Sequence, residues 1–232
     1  MTPRTTVVTG GTGGLGSEVV RALVARGDRV WIPWISREER DRLAGSLDPE
    51  DPVRFVQADV LDAAALSELR AQVETEDGGL DVLCALVGGF TMGPVTETAD
   101  ADWERMAALN ARSVFMAVRA FGPLLQRSDR ARVVTVAAAG VVRGGGGGMV
   151  AYAASKGAVT ALTRALAAEW GSAGVSVNAI APTTIDTAAN RAAMPNSDRD
   201  GWVAPAELAA LVRFLTSDSA RVITGNVVLA GR

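Results

Sequence analysis

Short apolar runs alternate with amphipathic stretches along this chain, and the alternation predicts a repeated strand–helix order. Thr5 to Thr9 reads as a β-branched strand, followed by a glycine-rich turn and a helix from about Ser17 to Arg26. Arg29 to Ile35, Val53 to Ala58 and Asp81 to Val87 read as the next three strands, separated by helices from Arg37 to Leu47 and Ala63 to Glu74. The fourth strand is apolar almost throughout, as a parallel strand covered on both faces requires. A long helix is expected from about Ala101 to Gln126, with Asp100 placed to cap it. Arg132 to Ala137 is the fifth strand and Ala151 to Gly171 a helix, on which Val159, Leu162 and Leu166 recur at helical spacing. Val175 to Ile180 is a sixth strand ending at Pro182, and residues 183–204 break the pattern, as a lid over a ligand does. A last helix starts at Pro205 and reaches about Thr216, and Val222 to Leu229 is a closing strand. The expectation is a single α/β domain over residues 1–232, a doubly wound, mostly parallel seven-stranded sheet flanked by helices.

Composition narrows the function classes. A net charge of −3, with arginines scattered rather than clustered, gives no footprint for nucleic acid or an anionic membrane. One cysteine excludes an intrachain disulfide, and the absence of histidine excludes a Cys/His metal centre, so no metal is expected. Cys84 lies within the fourth strand and reads as an inert core residue. No apolar stretch is long enough to span a bilayer, and the N-terminus runs directly into a strand, so a soluble cytoplasmic protein with a small-molecule substrate is expected.

The glycine-rich turn carries the first candidate chemistry. Thr9-Gly10-Gly11-Thr12-Gly13-Gly14-Leu15-Gly16 lies between a strand and a helix, where backbone N–H groups and the helix N-terminus can cradle a phosphate. This doubly wound pattern with a glycine turn is that of a Rossmann dinucleotide site. At the end of the second strand, an acid would hydrogen-bond the adenosine ribose and indicate NAD(H). The chain has Trp34-Ile35-Ser36-Arg37 there, with no acid until Glu38. Trp34 could cover the adenine while Ser36 and Arg37 hold a 2′-phosphate, which favours NADP(H) over NAD(H); alternatively Ser36 caps the next helix and Arg37 is solvated. Asp59-Val60 is placed to meet the adenine edge, or Asp59 caps a turn. Gly88-Gly89-Phe90 leaves the sheet at the edge where ligands bind, and Phe90 either stacks on a flat substrate or plugs the loop.

Tyr152 is the only tyrosine and Lys156 the only lysine, four residues apart on one helix. That spacing puts both side chains on one face, where a cation stabilises a phenolate and lowers a pKa ordinarily near 10. Without histidine, proton transfer falls to a carboxylate, to these two residues or to Cys84. Asn110 lies in the middle of the long helix, where a buried amide needs partners; it can kink the helix and hold a water, or bond a neighbouring backbone.

Together these residues resemble a short-chain dehydrogenase/reductase. The matching motifs are Thr9-Gly-x-x-x-Gly14-x-Gly16, Asn110, Tyr152-x-x-x-Lys156, and Asn178-Ala179-x-Ala181-Pro182 continuing to Thr187. The resemblance implies that Tyr152 moves the substrate proton and Lys156 binds the nicotinamide ribose and lowers the tyrosine pKa. It implies that Asn110 holds a relay water, and that Val87, Gly88, Gly89, Pro182, Ile185 and Thr187 complete the cofactor site. It also implies a homodimer or homotetramer.

Two departures stand out: the serine usual after the fifth strand is replaced by Ala138 and Ala139, and Asn-Asn-Ala-Gly after the fourth strand reads Ala85-Leu86-Val87-Gly88. Within the family the chain is most similar to the quinonoid dihydropteridine reductase-like subgroup, which lacks that serine. Val87-Gly88-Gly89-Phe90, Gly148-Met149-x-x-Tyr152, Ile185-Asp186-Thr187-x-x-Asn190-Arg191-x-x-Met194-Pro195 and Trp202 carry the likeness. It places Phe90, Ala139, Met149, Asn190, Met194 and Trp202 against the substrate. The expected activity is NAD(P)H-dependent reduction of a small planar C=N, quinonoid or C=O compound. Ordinary ketone reduction or alcohol oxidation, and a catalytically inert NAD(P)-binding sensor or scaffold, are the alternatives.

Overall fold

Alternation of apolar strands and amphipathic helices produces a sheet covered on both faces. A computed structural model describes residues 3–231. Its strands are β1 (Thr5–Thr9), β2 (Arg29–Trp34), β3 (Val53–Gln57), β4 (Val82–Ala85), β5 (Arg132–Val136), β6 (Ser176–Pro182) and β7 (Val227–Ala230). They pair in the order β3-β2-β1-β4-β5-β6-β7, and every neighbouring pair is parallel, so the sheet is wholly rather than mostly parallel. All strand ends therefore point one way, and the strand order reverses between β1 and β4. Ligands bind in the crevice at such a reversal, outside the carboxyl ends of the strands.

The helices are α1 (Gly16–Val24), α2 (Arg37–Ala44), α3 (Ala63–Asp77), α4 (Asp100–Met106), α5 (Ser113–Leu125), α6 (Ala139–Val142), α7 (Val150–Trp170), α8 (Ala188–Ala193) and α9 (Pro205–Leu215). One core joins Trp31, Leu66, Leu69, Phe121 and Val159 on the face covered by α3, α5 and α7. The other joins Val8, Val20, Ile32, Ile180 and Leu208 beneath α1 and α9. Burying each such side chain contributes roughly 1.5–3 kcal/mol, so the two cores hold the frame against which the loops are positioned. Among the described residues no helix is long and apolar enough to cross a membrane.

Several boundaries differ from the expectation, each for a local reason. The predicted helix from Ala101 to Gln126 is interrupted: residues Ala107–Arg112 form a π-helical turn between α4 and α5. The wider turn surrounds Asn110, whose amide bonds outside the helix, and such turns mark functional positions. β4 starts at Val82, not Asp81, because the Asp81 carboxylate accepts from Thr5 N–H, Ser128 and Arg130 at the strand's foot. β7 starts at Val227 rather than Val222, after a turn in which Gly225 has φ 72° and Val222 is fully in solvent. The stretch after β5 folds into the short helix α6. Residues 183–204 are more ordered than their irregular pattern suggests, with α8 capped by Thr187 and a parallel bridge between Ile185 and Val203.

Candidate active site

β1 delivers the chain into its glycine turn with Thr9 buried. Gly10 takes φ 71°, and its carbonyl accepts from Gly13 N–H at 3.2 Å. A Cβ on Gly16 would sit 2.0 Å from that same carbonyl oxygen, and one on Gly10 would sit 2.9 Å from Val87 N. Backbone thus packs on backbone where side chains would intrude, leaving Thr12, Gly13, Gly14 and Leu15 to lead into α1. No side chain caps α1; the Ser17 N–H is bonded to the Gly13 carbonyl at 2.9 Å, and the positive end of the helix faces the turn, where an anion is favoured. This turn fits the pyrophosphate of a dinucleotide.

The end of β2 is arranged differently from the expectation. Trp34 is buried, with the Arg40 guanidinium 4.8 Å over its ring and its Nε1 lacking a hydrogen-bond partner. The Ser36 hydroxyl is the cap of α2, accepting from Glu39 N–H at 3.3 Å, and Arg37 extends into solvent. Asp59 accepts from Leu61 N–H at 2.8 Å, closing a turn, while Val60 is buried beside it. Of the paired readings, helix-capping Ser36, solvated Arg37 and turn-capping Asp59 describe the folded chain.

At the reversal point, α7 carries the tyrosine and the lysine. Lys156 is 5% exposed, its Nζ donating to the Val136 carbonyl at 2.8 Å and lying 6.0 Å from the centre of the Tyr152 ring. Among the described residues none hydrogen-bonds to the Tyr152 hydroxyl, whose ring meets Phe90 edge-on at 4.9 Å and 74°. Phe90 is 50% exposed and so forms a wall facing solvent rather than a buried plug. Asn110 is fully buried: its Oδ1 accepts from Gly89 N–H at 3.0 Å, and its Nδ2 donates to Gly89 O at 3.1 Å and Ser155 Oγ at 2.9 Å. The π turn thereby clamps the exit of β4 to α7. A Cβ on Gly88 would lie 2.8 Å from Asn110 Oδ1 and 3.2 Å from Lys156 Nζ, so the glycine keeps open the space both groups face.

Electrostatics qualify the expected division of labour. Burial pushes the Tyr152 phenol above its usual 10, opposite to the lowering inferred from Lys156 alone. Burial also pushes the Lys156 ammonium down from 10.5 to about 8. Because the folded pKa lies below the unfolded one, the unfolded chain binds more protons between those values, and stability rises with pH across that window. We expect denaturation midpoints of the cofactor-free protein to rise from pH 8 to pH 10, and Lys156→Met to flatten that rise. A slope unchanged by the substitution would assign it to other groups.

Residues 183–204 bend back over the glycine turn. The Thr187 hydroxyl accepts from Asn190 N–H to cap α8, and a Cβ on Gly14 would meet the Thr187 methyl at 2.8 Å, so this segment and the glycine turn are in direct apposition. Pro182 is buried at the end of β6, and Ile185 is tied to Val203. Asn190 donates to the Ile185 carbonyl at 2.8 Å, Met194 ends α8, and Trp202 lies beneath the Arg199 guanidinium at 5.6 Å. The contacts of these three residues lie within residues 183–204, whereas Phe90 packs directly on Tyr152. Met149 is bridged to Gly93 beside the start of α7, and Ala139, 1% exposed, opens α6 without a hydroxyl. Sequence reasoning missed Ser155, the relay partner between Asn110 and the Tyr152 carbonyl, to which it donates at 2.7 Å. It also missed Glu39, whose carboxylate accepts from Thr12 at 3.0 Å; the spacing Ser36-x-x-Glu39 was the available signal.

Known proteins share the fold and about a third of the sequence. A family model described as "Enoyl-(Acyl carrier protein) reductase" matches residues 10–231. Meso-2,3-butanediol dehydrogenase of Serratia marcescens is 32% identical over 97% of this chain and 92% of its own length. Galactitol 2-dehydrogenase (L-tagatose-forming) of Cereibacter sphaeroides is 36% identical over 95% of this chain and 91% of its own. The crystal structure of levodione reductase superposes with a TM-score of 0.90 at 27% identity, covering 98% of this chain and 96% of that one. With the glycine cradle, the reversal-point cleft and the Tyr–Lys helix in place, the chain belongs to the short-chain dehydrogenase/reductase family and is an NAD(P)-dependent oxidoreductase.

Proposed function

We propose that this protein reduces a small C=O or C=N compound conjugated with a flat ring, with Tyr152 as proton donor. The bound nicotinamide supplies the hydride that reaches the accepting carbon. Tyr152 gives its hydroxyl proton to the accepting oxygen or nitrogen, and its raised pKa keeps that proton in place at neutral pH. Lys156, held on the Val136 carbonyl, offers positive charge to the phenolate that remains and hydrogen bonds to the nicotinamide ribose. Asn110 holds the Gly88–Gly89 exit in register with α7 and leaves a lone pair on Oδ1 for a relay water.

The observation that carries this reading is the Tyr152 hydroxyl, free beside the exposed Phe90 edge, with buried alanines where a second donor is usual. A positioned donor for a developing oxyanion is worth on the order of 10²–10³ in rate. A conjugated acceptor spreads the developing charge and needs that donor less than an isolated ketone does. The likeness to the quinonoid dihydropteridine reductase-like subgroup supports the same choice, through Phe90 and the lid motif. Simple alcohol or ketone chemistry is the second reading, favoured by relatives named for butanediol and galactitol.

Paired kinetics decide between them, following NADH and NADPH oxidation with quinonoid dihydropterin, a cyclic dione and acyclic hydroxyketones. At least tenfold higher kcat/KM for the conjugated rings is expected; a preference for acyclic ketones overturns the ring reading. Ala139→Ser is expected to raise turnover of simple ketones about tenfold and leave that of conjugated rings nearly unchanged.

A further inference from the structure

Nucleotide choice is decided at the outer side of the glycine turn, where α1 and α2 enclose a cleft of about 330 Å³ lined by Thr12, Gly13, Ser17, Arg21, Glu39 and Arg42. In this fold the adenosine ribose lies between the glycine turn and the end of β2. The strand-end position is filled by Trp34, whose indole is a donor only and cannot accept from a ribose hydroxyl. We propose that Glu39, reaching in from the first turn of α2, is the acceptor for the 2′-hydroxyl and excludes a 2′-phosphate, making NAD(H) the preferred nucleotide.

Four observations meet on this residue. In a Ser-x-x-Glu start the glutamate ordinarily bends back to the N-cap N–H, completing a reciprocal cap. Here only the serine half forms; the Glu39 carboxylate turns to the glycine turn and accepts from the Thr12 hydroxyl at 3.0 Å. Every arginine around it is committed elsewhere: Arg21 to Glu18 and Ser46, Arg42 to Glu38, and Arg40 to Asp41 and the Trp34 face. Among the described residues no arginine forms an ion pair with Glu39, although Arg21 and Arg42 line the same cleft. Finally, Arg37 is exposed and does not line the cleft, which removes the one cation expected to hold a 2′-phosphate. A carboxylate fixed by Thr12 offers a charged acceptor to a hydroxyl and like-charge repulsion to a phosphate. The inference rests on the glycine turn being the dinucleotide site.

Titration calorimetry with NADH and NADPH tests it without turnover, on the wild-type protein and on Glu39→Gln, which keeps the hydrogen bond to Thr12 but drops the charge. The wild type is expected to bind NADH at least tenfold more tightly than NADPH. Glu39→Gln should narrow the gap to about threefold or less, mainly by tightening NADPH. Equal or tighter NADPH binding by the wild type overturns the proposal, placing a 2′-phosphate among Arg21, Arg42 and Ser46 instead. An unchanged ratio in Glu39→Gln, with both nucleotides still bound, overturns it as well. Failure of both nucleotides to bind the wild type would overturn the dinucleotide site and this proposal together.

Discussion

Tyr152→Phe is expected to lower kcat about 10³-fold while leaving the dissociation constant for the nicotinamide nucleotide within about twofold. The substitution removes one oxygen that no described residue hydrogen-bonds, and the ring keeps its edge contact with Phe90, so the fold loses nothing. What disappears is the hydroxyl proton beside Phe90. The chain has no histidine to replace it, Cys84 is buried with its thiol pushed up to about 12, and Ala138 and Ala139 carry no hydroxyl. The Lys156 ammonium, pushed down to about 8, is held on the Val136 carbonyl, 6.0 Å from the centre of the tyrosine ring. General acid catalysis typically contributes 10²–10⁴-fold. Retention of more than a tenth of the wild-type kcat would move proton donation to Lys156, to water or to the substrate itself.

The second large effect concerns the cradle. In Gly16→Ala the added Cβ would stand 2.0 Å from the Gly10 carbonyl oxygen and 2.7 Å from Gly11 Cα, both backbone atoms that cannot swing aside. Relief requires the turn to open, which separates Gly10 from Val87 and moves the start of α1. Overpacking of rigid backbone costs about 3 kcal/mol or more, a large share of a typical domain's stability. Nucleotide affinity should fall with it, by about tenfold or more in any protein that still folds. Gly157→Ala is the control: it lies in α7 with no heavy atom within 4 Å of the added Cβ, and replacing a mid-helix glycine gains about 0.5–1 kcal/mol. Equal melting temperatures for the two variants would mean that the turn is not as closely packed as its geometry requires.

Much of this architecture was readable because parallel strands and glycine turns leave strong local marks. β1, β3, β5 and the start of α9 lie where apolar runs and Pro205 place them, and the Tyr152/Lys156 spacing located the shared helix face. What escaped depends on partners far apart in the chain. The π turn at Asn110 forms because its amide finds Gly89, 21 residues earlier, and Ser155, 45 residues later. The position of Asn110 in mid-helix signals a buried amide in need of partners, but neither the partners nor the π turn can be read between Ala101 and Gln126. Beyond its spacing from Ser36, Glu39 carries no mark in the sequence; its role depends on Thr12, 27 residues earlier, lying within 3.0 Å. Tyr152 reads as acidified by its lysine until the depth of burial is known, since spacing reports neighbours and not solvent.

The strand order also has a consequence for the chain as it is made. β1 is an interior strand of the sheet, with β2 on one side and β4 on the other, and Thr6 to Thr9 pair with Val82 to Ala85. A ribosome adding about 5–20 residues per second takes roughly 4–15 s to pass from the end of one strand to the start of the other. Throughout that interval the nascent half-sheet presents the open edge of a strand that is buried along its whole length in the finished fold, a template for pairing with other chains. The crossover through α3 and the delivery of β4 are therefore the vulnerable step of biosynthesis, and they precede any contact that builds the catalytic cleft.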